Sequence, residues 1–114
     1  MELIELKKGD ICLVNFNLSK GKEIGKIRPA VVLSKNEDNE VLDTVVVLPV
    51  SSQIVEEAMP YRVFISKRPG LDKDSDVCIY EVRALSKKRV VGVVSKVTAD
   101  EMHLISVAFA QVFL

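Results

Sequence analysis

The sequence has few of the residues on which the commonest catalytic sites depend. It contains no tryptophan, one histidine (His103) and two cysteines, Cys12 and Cys78. A single histidine makes catalytic triads and histidine acid–base pairs hard to build, so His103 is expected to be a surface or helix-packing residue. Two cysteines without a CxxC spacing cannot form a zinc site, and both lie in apolar runs typical of reduced core thiols. The HExxH, GxxxxGK(S/T) and GxGxxG motifs are also absent.

Long apolar runs and an excess of one charge are missing as well. No run is long enough to span a membrane, and the segment Met1–Lys7 is too short and too charged for a signal peptide. We therefore expect a cytoplasmic protein with no membrane partner. The net charge is zero, although basic residues exceed acidic ones by five over 7–35 and by four over 81–96. These two segments could bind phosphates if the fold brings them onto one face.

Short apolar segments rich in valine and isoleucine alternate with polar turns, which is typical of β-strands. Six strands joined by turns predict a mainly β fold, a bent antiparallel sheet or small barrel, in one domain over residues 1–114. The predicted strands are Ile11–Phe16, Ala30–Ser34, Thr44–Val50, Tyr61–Ile65, Val77–Val82 and Val90–Val97.

The C-terminal segment has the pattern of a helix. Thr98 and Glu101 have the spacing of a capping box, in which each side chain bonds the other residue's backbone N–H. Apolar residues then recur at helical spacing, which predicts a helix from about Ala99 to Val112 that packs across the sheet. The residues on this face are Met102, Ile105, Phe109 and Val112, flanked by Leu104, Ala108 and Phe113.

Two polar features stand out at the ends of predicted strands. Pro29 can lie only at the start or edge of a strand, and it biases Arg28 toward an extended conformation at the mouth of the sheet. A second apolar strand ends in the polar run Ser51-Ser52-Gln53. The acidic pairs and clusters at 56–57 and 72–76 are interpreted as solvated loops, in preference to a carboxylate metal site.

Several segments, in this order, resemble the MazF/PemK toxins of bacterial toxin–antitoxin systems. The run Gly21–Leu33 is similar to the family signature G-x-E-x-G-x-x-R-P-x-(V/L)-V-(L/I), and Leu48–Gln53 resembles its P-(I/L/C)-T-(S/T/A)-Q strand end. Lys8–Phe16 is similar to the opening strand of the family, while Tyr80–Arg83 and Lys88–Val90 are weaker matches. The resemblance extends over nearly the whole chain.

The resemblance implies an SH3-like barrel of the CcdB/MazF type, a homodimer, and a cognate antitoxin protein as partner. It also implies an endoribonuclease that cleaves single-stranded mRNA without a metal or other cofactor. Arg28 matches the catalytic arginine of the family, and Ser51 matches its catalytic threonine. The expected RNA-binding residues combine groove matches with neighbouring polar and basic side chains: Lys20, Lys22, Glu23, Lys26, Ser52, Gln53, Glu81 and Arg83.

Three departures from the family pattern leave alternatives open. Ser51 replaces threonine, Glu81 stands where many members have glutamine, and Leu18 replaces a loop proline. Glu81 would place a negative charge near the groove, so a folded but inactive toxin is one alternative. A gyrase-poisoning toxin of the CcdB type is a second, and the Arg28 signature argues against it. An SH3-like adaptor is a third, but two tyrosines and four phenylalanines are few for an aromatic proline-binding groove.

Overall fold

The computed structural model describes residues 4–16 and 26–114. The predicted RNA-binding residues Lys20, Lys22 and Glu23, and the departure at Leu18, lie outside the described residues. The elements in chain order are β1 (Asp10–Asn15), β2 (Ile27–Val32), α1 (Asn36–Val41), β3 (Thr44–Ser51), β4 (Arg62–Ile65), β5 (Ser75–Cys78), β6 (Arg83–Ser86), β7 (Val90–Lys96) and α2 (Ala99–Phe113). Single turns of 3-10 helix occupy Ile79–Glu81 and Lys87–Arg89.

The seven strands form one antiparallel sheet in the order β4-β5-β3-β2-β1-β7, with β6 also paired to β3. This arrangement confirms the predicted mainly β fold with a C-terminal helix. No ladder joins β4 to β7 among the residues that the structure describes, so the curled sheet is open there. The β4–β5 loop approaches β7 instead, where an Arg68 N–H donates to the carbonyl of Lys96 over 3.1 Å.

Strand alternation divides the apolar side chains into two clusters, because successive residues point to opposite faces of a sheet. One cluster includes Ile11, Val31 and Leu48 and is covered by α2, whose Ile105 and Ala108 are fully buried. The other cluster lies on the opposite face of β1, β2 and β3 and includes Cys12, Val14, Ala30, Val32, Val45 and Val47. Every strand that carries the predicted site therefore has a packed face behind it.

The predicted C-terminal helix is confirmed almost to the residue. It runs over Ala99–Phe113, and its capping box is present: Glu101 N donates to Thr98 Oγ1 over 3.1 Å, and Thr98 N donates to Glu101 Oε1 over 2.8 Å. No helix among the described residues is long and apolar enough to cross a membrane.

The structure differs from the predicted elements at three places. The predicted strand Ala30–Ser34 runs instead over Ile27–Val32, so Pro29 lies inside β2 and is paired with Leu13 of β1. The predicted strand Val77–Val82 ends at Cys78, because the chain makes a 3-10 turn there. Before the turn it pairs with β4 as β5, and after the turn it pairs with the first half of β3 as β6. This break accounts for the seventh strand. The polar segment after Ser34, interpreted as a turn, forms α1, where the buried Asn39 amide donates to the Ser34 carbonyl over 2.9 Å.

Candidate nucleic-acid interface

Arg28 and Ser51 lie at the same end of two neighbouring strands, β2 and β3. The β2–β3 ladder pairs Ala30 with Pro49 and Val31 with Leu48, and it ends there. Arg28 and Ser51 follow the end of this ladder on their two strands without being paired with each other. Arg28 pairs with Val14 of β1, and Ser51 pairs with Asp76 of β5.

Pro29 sets the point at which β2 and β3 separate. The Phe16 N–H donates to the carbonyl of Lys26 over 3.2 Å, so the even-numbered residues of β2 bond toward β1 and the odd-numbered ones toward β3. Pro29 therefore faces β3 without an N–H to donate. The ladder accordingly ends at Ala30 and Pro49, one residue before Pro29 would pair with Val50.

A cavity of about 250 Å³ opens beyond the end of this ladder. Its wall on the strand side consists of Arg28, Pro29, Val50 and Ser52, and the opposite wall comes from Leu71, Asp72, Lys73 and Ser75. Ser51 does not line the cavity. Arg28 and Lys73 outnumber the single carboxylate of Asp72, which gives the cavity a net positive charge suited to an anion.

The polar strand end at Ser51 is held in place by a buried carboxylate. Asp76 is only 2% exposed, and its Oδ2 accepts from the Val55 N–H over 2.9 Å and pairs with an Arg62 nitrogen at 3.2 Å. The same nitrogen donates to the carbonyl of Gln53 over 2.9 Å. The interpretation of Asp76 as a solvated loop residue was wrong, because it lies within β5 and is paired with Arg62.

Ser51 itself accepts one local hydrogen bond. Its Oγ receives the Gln53 N–H over 3.1 Å, a short-range contact that orients the hydroxyl oxygen at the strand end. Because the oxygen is the acceptor in this contact, the hydroxyl proton remains available for donation to a ligand.

The arginines fall into two groups by their partners. Arg62 pairs with Asp76 and Arg68 with Glu101, whereas the other three, Arg28, Arg83 and Arg89, have no carboxylate partner among the residues that the structure describes. The carbon of the Arg83 guanidinium lies 5.1 Å from the centre of the Phe16 ring, a cation–π distance. Arg28 is exposed at the mouth of the sheet.

The two cysteines are buried and free, as predicted, and neither is suited to be a nucleophile. Burial raises the pKa of the Cys12 thiol to about 11, and it also raises the pKa of Cys78. The thiol is unreactive where the thiolate is scarce. His103 is exposed on α2.

Comparison with known proteins identifies the family. Residues 7–113 match the family described as the PemK-like, MazF-like toxin of type II toxin–antitoxin systems. The chain belongs to this toxin family. Solved MazF structures share the fold: the MazE–MazF complex from Deinococcus radiodurans (form II) is 24% identical, with a TM-score of 0.78, and the match covers 95% of each chain. The Mycobacterium tuberculosis toxin MazF-mt6 is 16% identical with a TM-score of 0.77, over 91% of this chain and 95% of that one.

A third similar structure is an endoribonuclease in complex with its cognate antitoxin, from a mycobacterial species. It is 20% identical with a TM-score of 0.70, and the match covers 94% of this chain and 91% of that one. At these sequence identities, the three solved structures show that this chain shares their fold.

The remaining residues expected to bind RNA occupy two regions of this PemK/MazF chain. Lys26, Ser52 and Gln53 are exposed near the β2 and β3 ends that flank the cavity. Glu81 is exposed in the 3-10 turn after β5, and Arg83 is exposed on β6 against Phe16.

Two charged residues that line the cavity were missed by the sequence prediction. Asp72 and Lys73 lie in the β4–β5 loop and reach the Arg28 cavity only because this loop folds back over the sheet. No local pattern near them indicates this approach. The loop is fixed by long-range bonds, such as that of Arg68 to Glu101.

Proposed function

We propose that this chain, as a single toxin domain over residues 1–114, is an endoribonuclease that cleaves single-stranded mRNA. The 2′-hydroxyl oxygen of the RNA would attack the neighbouring phosphorus and displace the 5′-oxygen. The 2′-hydroxyl loses its proton and the departing 5′-oxygen gains one, which gives a 2′,3′-cyclic phosphate and a 5′-hydroxyl. The position of Arg28 and Ser51 at the same end of β2 and β3, where the ladder between these strands stops beside Pro29, supports this proposal. Membership of the PemK/MazF family supports it.

The side chains at this end of β2 and β3 suit the proposed cleavage of RNA. RNA supplies its own nucleophile, so the protein needs to align the 2′-hydroxyl and stabilise charge on the phosphate oxygens. The reaction as proposed calls for neither a metal nor another cofactor. The Arg28 guanidinium offers planar, paired donors to phosphate, and it has no carboxylate partner among the described residues that would compete.

Arg28 and Ser51 would act by donating hydrogen bonds. Arginine keeps its proton at ordinary pH, so we assign Arg28 to charge stabilisation of the transition state and not to proton abstraction. Ser51 would donate its hydroxyl proton to a second phosphate oxygen. The exposed residues Lys26, Ser52, Gln53, Glu81 and Arg83, with Lys20, Lys22 and Glu23, are the proposed contacts to the rest of the RNA.

The proposal includes a cognate antitoxin, a homodimer and a cytoplasmic location. Similar structures are complexes of a MazF or an endoribonuclease with an antitoxin, which supports an antitoxin partner here. An exposed aromatic cluster supports self-association. Tyr80 is 68% exposed and stacks on Phe113 with ring centres 5.7 Å apart, while Tyr61 lies edge-on to Tyr80. Such a patch is typical of a protein contact.

The test is incubation of the purified chain with a long RNA in the presence of EDTA. We expect discrete fragments with 5′-hydroxyl and 2′,3′-cyclic phosphate ends. Arg28→Ala should reduce the cleavage rate by about a hundredfold or more, as loss of one oxyanion donor does. The matched control is Lys67→Ala, which removes an exposed positive charge outside the cavity and should leave the rate unchanged.

Three results would contradict the proposal. These are intact RNA with the wild-type chain, near-normal cleavage by the Arg28 variant, or fragments that carry 5′-phosphate ends. A parallel assay of gyrase on supercoiled DNA, without RNA, would reveal the CcdB-type activity if that alternative is correct.

A further inference from the structure

The end of β1 extends past its neighbour β7. The last pair in the β1–β7 ladder is Val14 with Val90, but β1 continues to Asn15, and the Phe16 N–H still bonds to Lys26 of the other hairpin arm. The carbonyl of Phe16 therefore lies past the end of the β1–β7 ladder, where a side chain can donate to it.

Arg89 donates to this end of β1. It precedes β7 directly and is half-buried, and its Nη1 lies 3.2 Å from the carbonyl oxygen of Phe16 and 3.5 Å from that of Asn15. The carbon of the Arg83 guanidinium, from β6, lies 5.1 Å from the centre of the Phe16 ring. One arginine from β6 and one from the 3-10 turn before β7 thus converge on the last described residue of this hairpin arm.

The same hairpin carries Arg28. Val14 pairs with Arg28, Asn15 pairs with Ile27, and Phe16 bonds to Lys26. A shift of the β1 end is therefore transmitted through three consecutive pairs to the strand that presents the Arg28 guanidinium. Transition-state stabilisation is sensitive to such shifts, since a misplacement of about 1 Å can cost about a hundredfold in rate.

We infer that Arg89 is a positioning residue, which holds the β1 end so that β2 keeps Arg28 at the opening of the sheet. This inference rests on the proposed function of Arg28. The competing role for Arg89 is direct binding of an RNA phosphate, as expected for a basic residue of the 81–96 segment. The geometry favours positioning, because one guanidinium nitrogen already donates to two backbone carbonyls.

The test compares Arg89→Ala with Lys88→Ala, which removes the neighbouring exposed charge without touching Phe16. For Arg89→Ala we expect kcat to fall by about tenfold to a hundredfold, with KM within about twofold of wild type. Arg89→Lys should recover most of kcat, because an ammonium can donate to the same carbonyls, and it guards against misfolding of the alanine variant. Binding of a 2′-O-methyl RNA, which lacks the nucleophile, should keep its dependence on salt in all variants.

A readout independent of RNA completes the experiment. Hydrogen exchange of the Phe16 amide, which bonds to Lys26, should become faster in Arg89→Ala and stay unchanged in Lys88→Ala. If the wild-type chain cleaves no RNA, the proposed function fails, while the exchange data still decide whether Arg89 holds the hairpin.

Two results would overturn the inference. One is a raised KM with kcat preserved and a salt slope reduced by about 0.7, the value for one lost phosphate contact on a single strand. The other is a variant whose kinetics and Phe16 exchange match those of Lys88→Ala.

Discussion

Removal of the Arg68 guanidinium is expected to destabilise the fold by about 2 to 3 kcal/mol. Its Nη1 and Nη2 lie 2.6 Å from Oε1 and Oε2 of Glu101, a bidentate pair, and its Nε donates to the carbonyl of Ser66 over 2.9 Å. The side chains of Arg68 and Glu101 are 14% and 20% exposed. The pair joins the β4–β5 loop to the first turn of α2.

The magnitude follows from this partial burial. Exposed ion pairs contribute about 0 to 1 kcal/mol, and loss of one partner from a buried pair costs about 3 to 5 kcal/mol. An intermediate loss of about 2.5 kcal/mol fits a pair that is mostly but not fully buried. With an unfolding entropy of about 2.1 cal/mol/K per residue, this loss lowers the midpoint of a 114-residue chain by about 10 °C.

The assay is urea and thermal unfolding of Arg68→Ala at neutral and acidic pH. The hydrogen bonds from Arg68 lower the pKa of Glu101 below its ordinary value. The stabilisation by the Arg68–Glu101 pair is therefore complete above the pKa of Glu101 in the unfolded chain, about 4.3. It is lost as the pH falls through the lower pKa of Glu101 in the folded chain. The difference in stability between wild type and variant should therefore become smaller at acidic pH, where only the bonds of Arg68 to the Ser66 and Lys96 carbonyls remain to distinguish them.

The control is Lys7→Ala, which breaks a 3.6 Å pair with Glu5 between side chains that are 58% and 76% exposed. This change should be nearly neutral. The reasoning is refuted if Arg68→Ala is as stable as the control at pH 7, or if its deficit persists unchanged at acidic pH.

Three further predictions concern Ser51, the two cysteines and Gly70. Ser51→Ala should reduce RNA cleavage less than the Arg28 variant does, and Ser51→Thr should be close to neutral, as measured by initial rates on one RNA. Cys12 and Cys78 should resist a thiol reagent at pH 8 in the native chain and react in denaturant; rapid native labelling of Cys12 would contradict its burial. Gly70→Ala should strongly lower the unfolding midpoint, because φ is +90° and a Cβ there would overlap the Val94 carbonyl, so an unchanged midpoint would show that the loop can move away.

The parts of the fold that could be predicted from sequence are those with local causes. The capping box of Thr98 and Glu101 marked the start of α2, and strand-forming residues marked β1, β3 and β7. The family resemblance, since confirmed, came from a signature whose arginine and proline are adjacent in sequence. The start of the second strand was predicted wrongly at Ala30 because of Pro29; β2 begins at Ile27, and only its ladder with β3 ends beside Pro29.

The parts that could not be predicted depend on contacts between distant residues. Asp76 looked like a solvated loop residue because Arg62, its partner, is far away in sequence. The cavity wall at Asp72 and Lys73 exists only once the β4–β5 loop is fixed to α2. The break after Cys78 likewise has no local breaker residue, since the chain leaves one ladder to join another.

The pairing of β1 with β7 also has a consequence for synthesis of the chain. Among the described strands β7 is the last to be made, and Arg89 directly precedes it. On the ribosome, a nascent chain that has not yet released residues 89–96 holds Arg28 on a hairpin with one bare edge. The edge proposed to act on mRNA is thus completed only after residues 89–96 have been released.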